Sequence, residues 1–316
     1  MRIAIAYLSV VLLWATTPLA IKWSGEGPGF LFGVTGRMVI GIFCIGLLLL
    51  IRKQRLSWRR KDRLTYLAAA VQIYGSMIVV YWAAQFIPSG WISVLFGLTP
   101  LITALLASLC FGQRELTFSK VLSYLLGVGG LALMFGSALA LGRNAVLGIA
   151  AVILGAFLHS LSALWIKRIA AELPALTQVA GGLLLALPAY MVTWGVFDGE
   201  WPRRFTIASV VSIVYLGVIA TTAGFVLYYY LLTRLSATRV ALITLISPVL
   251  ALLLGHAVNH EPITPNVLVG ALTIFSALLL HESRGQRSPG NRAKARTAEA
   301  DIPDGSSRPA AKRPSR

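Results

Sequence analysis

Residues 81–101 read YWAAQFIPSGWISVLFGLTPL, and residues 229–250 read YYLLTRLSATRVALITLISPVL. Set side by side without a gap, Tyr81 falls on Tyr229, Ile87 on Leu235, Leu98 on Ile246, Thr99 on Ser247 and Pro100 on Pro248. Each stretch is an apolar run with a proline directly after a hydroxyl residue. A proline inside a helix removes one backbone hydrogen bond and crowds the carbonyl four residues earlier, so an isolated one reads as a kink. Two at matching places in two halves of one chain read as a designed feature.

The match continues upstream in weaker form. Pro28 and Gly36 correspond to Pro174 and Gly182, and Lys22 to Lys167. Around these anchors the 316 residues are 57% hydrophobic and only 12% charged, with a mean hydropathy of +0.77. Soluble domains carry roughly 25% charged residues. Apolar runs near the ~20 residues that cross a hydrocarbon layer recur along the chain, and helices satisfy their own backbone there. Ten spans are expected: residues 3–21, 30–51, 64–84, 89–111, 121–140, 145–166, 175–197, 207–232, 237–258 and 266–281. The first resembles a secretory leader, but its apolar part is long for one, so it is read as a retained helix.

Each half holds five of these spans. Five is odd, so the second half must enter the membrane from the opposite side. The expected fold is therefore an all-α polytopic membrane protein of two inverted five-helix repeats, residues 1–140 and 145–281. Inverted repeats with interrupted helices around a midplane site mark secondary transporters. Residues 282–316, rich in Arg, Lys, Pro and Ser, cannot bury a core and read as a disordered basic tail.

Lysine and arginine concentrate on cytoplasmic loops. With the N-terminus inside, the run Arg52, Lys53, Arg55, Arg59, Arg60, Lys61 and Arg63 falls inside, as do Lys167 and Arg168, while the outer side keeps Lys22, Arg143, Arg203 and Arg204. Both termini are thus expected in the cytoplasm, with the bacterial inner membrane as the location. The formal charge of +17 is a topology signal and gives no reason to expect a nucleic-acid partner. Cys44 and Cys110 lack metal or disulfide spacing, and neither a metal nor a cofactor is expected.

The stretches LLWATTPLAIKW, GPGFLFGVTGRMVIG and the two proline-bearing segments, continued as ITALLASLCFGQRELT and ALLLGHAVNHEPIT, resemble the EamA-type domains of the drug/metabolite transporter superfamily. The resemblance covers everything but the tail. It implies ten helices and export or exchange of small metabolites, amino acids often among them. The acid after the glycine departs from equivalence between halves: Glu261 follows Pro248 by thirteen residues, Glu115 follows Pro100 by fifteen. These two carboxylates are not expected to act as a pair.

Away from the helix ends, the ionisable residues at membrane depth are Arg37 and His159. A central arginine costs roughly 2.5 to 3.5 kcal/mol on insertion scales and normally faces a cavity or partner. Arg37 could clamp a carboxylate bidentately; the alternative is snorkelling or bonding to freed carbonyls. His159, near Ser160 and Ser162, titrates where a proton-linked step needs it, or is a neutral hydrogen-bonded residue. The coupling ion is left open between a proton, sodium and none at all. In members of the resembled family the first, third and eighth spans help line the cavity, which adds Trp14, Thr17, Tyr74, Tyr81 and Trp82 as substrate-binding candidates. Thr99, Pro100, Ser247 and Pro248 are the expected hinge. The partners expected are a small-molecule metabolite and the lipid bilayer. No HExxH or GxSxG occurs and His159 lacks an orienting acid, which argues against an enzyme. A channel, scaffold or sensor is the remaining alternative.

Overall fold

In the computed structural model, the backbone is described for residues 3–111, 118–234 and 243–285, and these residues contain helices and no strand. The helices are α1 Ile3–Ser24, α2 Phe30–Ile51, α3 Arg60–Ala70, α4 Met77–Ala83, α5 Ser89–Phe96, α6 Thr99–Phe111, α7 Phe118–Leu141, α8 Arg143–Ile169, α9 Ala175–Phe197, α10 Ile207–Tyr215, α11 Phe225–Arg234, α12 Ile243–Asn259 and α13 Pro265–Gly285. Among the described residues, 8 helical stretches are long and apolar enough to cross a membrane, and Ile246–Asn259 and Pro265–Leu280 are shorter apolar helices. Large apolar side chains cover the outside, with Phe43 74% and Phe197 79% exposed. In water that surface would be untenable; in lipid it is the expected solvent face.

Two stretches depart from the α form. Val71–Ser76 between α3 and α4, and Leu216–Gly224 between α10 and α11, are π-helical. A π turn widens the helix and shifts its hydrogen bonds by one residue, which exposes carbonyls to partners from other helices. Here such partners exist. Tyr190 Oη of α9 donates to the Ile73 carbonyl at 2.5 Å, while in the second segment the Gly217 carbonyl is met from within, by Thr222 Oγ1 at 3.0 Å. Just ahead of the first π stretch, Ser162 Oγ donates to the Ala68 carbonyl at 2.6 Å.

The first proline of the opening motif sits at the start of a helix and not in a helix interior. α5 ends at Phe96, the chain tightens through Leu98 N–H to the Leu95 carbonyl at 3.1 Å, and α6 begins at Thr99. Pro100 therefore occupies the first turn of α6, where its missing N–H is one no helix would use. The Phe96 carbonyl, deprived of a donor by Pro100, accepts Thr99 Oγ1 at 2.6 Å. Pro248 differs: α12 runs through it, and Ser247 Oγ donates across to the Val11 carbonyl of α1 at 3.1 Å.

Around the buried core, α1 packs on α12 and α5, α2 on α9 and the second π segment, α8 on α4 and α6, and α7 on α13. The α7 and α13 backbones touch: a Cβ on Gly130 would lie 2.6 Å from the Gly270 carbonyl oxygen. The α7–α8 connection turns at Gly142, whose φ of +105 is accessible only to glycine without strain. α13 continues to Gly285, past the expected end of the last span. Residues 286–316 of the expected tail, and Glu115, lie outside the described residues.

Candidate functional site

Arg37 lies in the second turn of α2 and is 3% exposed. Its Nε donates to Thr221 Oγ1 at 2.8 Å and its Nη1 to Tyr81 Oη at 3.4 Å. Thr221 belongs to the second π segment and Tyr81 to α4, so one guanidinium joins α2 to both interrupted spans. No carboxylate pairs with it among the described residues, whose salt bridges are Lys22–Glu261 and Arg203–Glu200. A buried cation held by neutral hydroxyls has given up water without gaining a counter-charge.

A belt of tyrosines extends from it. Tyr190 is fully buried on α9, and its ring meets Tyr74 edge-on with centroids 4.9 Å apart. Tyr74, in the first π segment, shares a 2.6 Å hydrogen bond with Thr193. The sequence-based candidates Arg37, Tyr74 and Tyr81 thus gather in one region. Tyr190, Thr193 and Thr221 belong to it but were missed, because neutral residues give no charge signal; the hydroxyl-rich run Thr221, Thr222 was the available hint.

Tyr81 also faces a cavity of about 190 Å³ at the end of the bundle that holds the α1–α2 connection, with Lys22, Glu26, Phe30 and Gln85 in its wall. Next to it, Lys22 Nζ lies 3.4 Å from Glu261 Oε1. Glu261 is 7% exposed and accepts Ser89 Oγ at 2.9 Å, Gly90 N–H at 3.3 Å and Asn259 Nδ2 at 2.9 Å. Burial alone would push its carboxyl up, but the backbone at Ser89, Asn259, Lys22 and the Ser89 hydroxyl outweigh that and hold it below the ordinary value.

The other candidates lie apart. Trp14 packs at a tilt against Tyr228, with ring centroids 5.0 Å apart, in a separate apolar cluster with Val10 and Leu231. Thr17 Oγ1 is spent on the Leu13 carbonyl of its own helix at 2.5 Å. Trp82 packs on Phe86 at 4.9 Å near the end of its span. His159 meets the Phe96 ring at 6.0 Å, and its Nδ1 is buried without a hydrogen-bond partner. It borders the α5–α6 break, where Ser160 Oγ donates to the Thr99 carbonyl at 3.3 Å. Among the described residues no group of His, Cys, Asp and Glu could hold a metal.

A solved crystal structure aligns with 88% of this chain and 97% of its own at a TM-score of 0.61 and 21% identity, a likeness of fold. The uncharacterized transporter YoaV of Bacillus subtilis is 24% identical over 89% of this chain and 96% of its own. A probable terminal-alkyne amino-acid exporter of Streptantibioticus cattleyicolor is 26% identical over 90% of this chain and 97% of its own. The EamA-like transporter family pattern matches twice, over residues 1–136 and 146–281. The helical membrane architecture and these matches lead to one conclusion: the chain belongs to the EamA-like transporter family.

Proposed function

We propose that this protein is a secondary transporter that exports a small carboxylate-bearing metabolite, an amino acid foremost, with Arg37 as the residue that receives the carboxylate. The observation that carries the reading is the buried Arg37 guanidinium, held by Thr221 and Tyr81 and facing no acid among the described residues. Arginine presents its donors in a planar fork suited to a carboxylate. The likeness to an amino-acid exporter agrees with this choice of substrate.

Ten spans arranged as two inverted repeats, residues 1–140 and 145–281, are part of the proposal. Both π segments fall in the third span of their half, at 71–76 and 216–224. Contacts recur under exchange of the halves: α1 with α12 matches α8 with α6, and α3 with α9 matches the second π segment with α2. Two such halves rock about a shared site in alternating access, with Thr99, Pro100, Ser247 and Pro248 as hinge positions. Both termini face the cytoplasm of a bacterial cell, on the asymmetry of basic loops.

The test is counterflow in proteoliposomes of the full-length protein. Unlabelled amino acids inside should accelerate entry of a labelled amino-acid mixture, and Arg37→Ala should abolish entry while the protein still inserts. Entry that internal amino acids do not accelerate would point to a channel, and full activity of Arg37→Ala would remove the carboxylate clamp.

A further inference from the structure

The two partners of the Lys22–Glu261 ion pair are held very unequally. Glu261 is anchored by Ser89 Oγ, Gly90 N–H and Asn259 Nδ2, and its own N–H donates to the Gly255 carbonyl at 3.1 Å. Asn259 is fixed in turn by Trp23 Nε1, which donates to its Oδ1 at 3.1 Å. The glutamate would stay in place without the lysine. Among the described residues Lys22 has only Glu261 Oε1 and the Ile87 carbonyl, both at 3.4 Å, the long end of useful hydrogen-bond distances. Its side chain is 27% exposed against 8% for Glu261.

Lys22 also lines the cavity of about 190 Å³ whose wall includes Tyr81, and Tyr81 takes a hydrogen bond from Arg37. The cavity therefore has one cation in its wall and a second one residue behind it. Glu26 in the same wall supplies an anion, so a ligand bearing both a carboxylate and an ammonium group fits the lining better than a simple anion. A partly exposed ion pair at this separation is weak, and an arriving carboxylate offers Lys22 a partner of equal charge.

We infer that Lys22 is a second carboxylate-contacting residue, and that a zwitterionic ligand in the cavity draws it away from Glu261. The pair closes a latch: Lys22 lies in the last turn of α1, Ser89 and Gly90 begin α5, and Glu261 lies between α12 and α13. Withdrawal of the lysine removes the ionic tie between α1 and the other two, and leaves the Trp23–Asn259 hydrogen bond and helix packing as what still holds it. Ligand occupancy is thereby coupled to movement of α1, because the ligand favours the state in which Lys22 has left Glu261. This rests on the transport reading above, which supplies a carboxylate-bearing ligand.

The experiment is hydrogen exchange on the full-length protein in nanodiscs, read on peptides covering residues 19–28, the end of α1 and its connection to α2. Lys22→Ala and Lys22→Gln should each raise exchange there by about threefold, as a local opening is made easier. An amino-acid mixture should raise it similarly in the wild type and add nothing in either variant. Exchange unchanged by both substitutions overturns the latch, and exchange in the wild type unchanged by the mixture overturns the coupling. A thermal shift with the same mixture separates the two levels. If the mixture stabilises the wild type but not Arg37→Ala while exchange stays constant, only the latch falls; if it stabilises neither, the carboxylate reading falls too.

Discussion

Arg37 donates from Nε to Thr221 Oγ1 at 2.8 Å, which fastens α2 to the π-helical stretch Leu216–Gly224. The bond uses the widened turn: Thr221 is fully buried, and its neighbour Thr222 satisfies the Gly217 carbonyl within the same segment. Thr221→Val preserves the shape and removes the acceptor. A hydrogen bond to a charged group contributes about 1.5 to 3 kcal/mol, so we expect a loss of stability of about that size and a fall in amino-acid entry. Melting in detergent and proteoliposome uptake would read the two effects. Arg37→Lys should also fail to sustain uptake, because one ammonium cannot reproduce the fork that meets Thr221 and Tyr81 together.

Tyr190 holds the other π segment. Its hydroxyl meets the Ile73 carbonyl at 2.5 Å while its ring packs edge-on against Tyr74. Tyr190→Phe keeps the ring contact and leaves a buried carbonyl short of a donor, a change worth about 1 kcal/mol. Hydrogen exchange in residues 71–77 should rise, and Tyr190→Ala should do more because the ring pair also goes.

These two relationships show why parts of the fold were legible and others were not. Apolar runs and turn residues carry helix positions openly, and charge at membrane depth singles out Arg37 and His159. The paired prolines pointed to interrupted helices, yet the first interruption lies at Gly97–Leu98, just ahead of Pro100, and the two halves resolve it differently. The π segments gave no local signal, since VQIYGS and LGVIATTAG suit an α-helix equally well. What meets them is a group from a distant helix: Tyr190 at the Ile73 carbonyl, more than a hundred residues away, and Arg37 at Thr221. The Lys22–Glu261 network is similarly hidden, because its members come from α1, α5 and the α12–α13 connection.

Gly130 and Gly270 make a sharper steric prediction. A Cβ on Gly130 would approach the Gly270 carbonyl oxygen to 2.6 Å, and one on Gly270 would approach the Gly130 carbonyl oxygen to 2.8 Å. Neither neighbour is a side chain that can swing away. Gly130→Ala should therefore cost about 1 to 3 kcal/mol, as overpacked cores do. Gly129 is the control, since nothing lies within 4 Å of a Cβ placed there. Gly129→Ala should be neutral or stabilising by up to about 1 kcal/mol, from helix propensity. Thermal unfolding of both variants in one detergent tests the pair.

Glu261 gives the pH dependence. Burial raises its pKa, but the backbone at Ser89, Asn259, Lys22 and the Ser89 hydroxyl lower it further, leaving the folded value beneath the ordinary 4.5. A carboxyl with a depressed folded pKa stabilises the fold fully above its unfolded value, and that contribution is lost as pH falls through the folded one. From neutral pH down to the ordinary carboxylate range the contribution should hold constant. Below it, protonation costs Glu261 its charge-assisted bonds to Ser89, Gly90, Asn259 and Lys22. Glu261→Gln carries no such charge at any pH. Its melting temperature should lie below the wild type at neutral pH, and the gap should narrow as acid protonates Glu261 in the wild type. A gap that widens with acid would mean that the folded pKa is raised, and that Lys22, Ser89 and Asn259 do not offset the burial of this carboxylate.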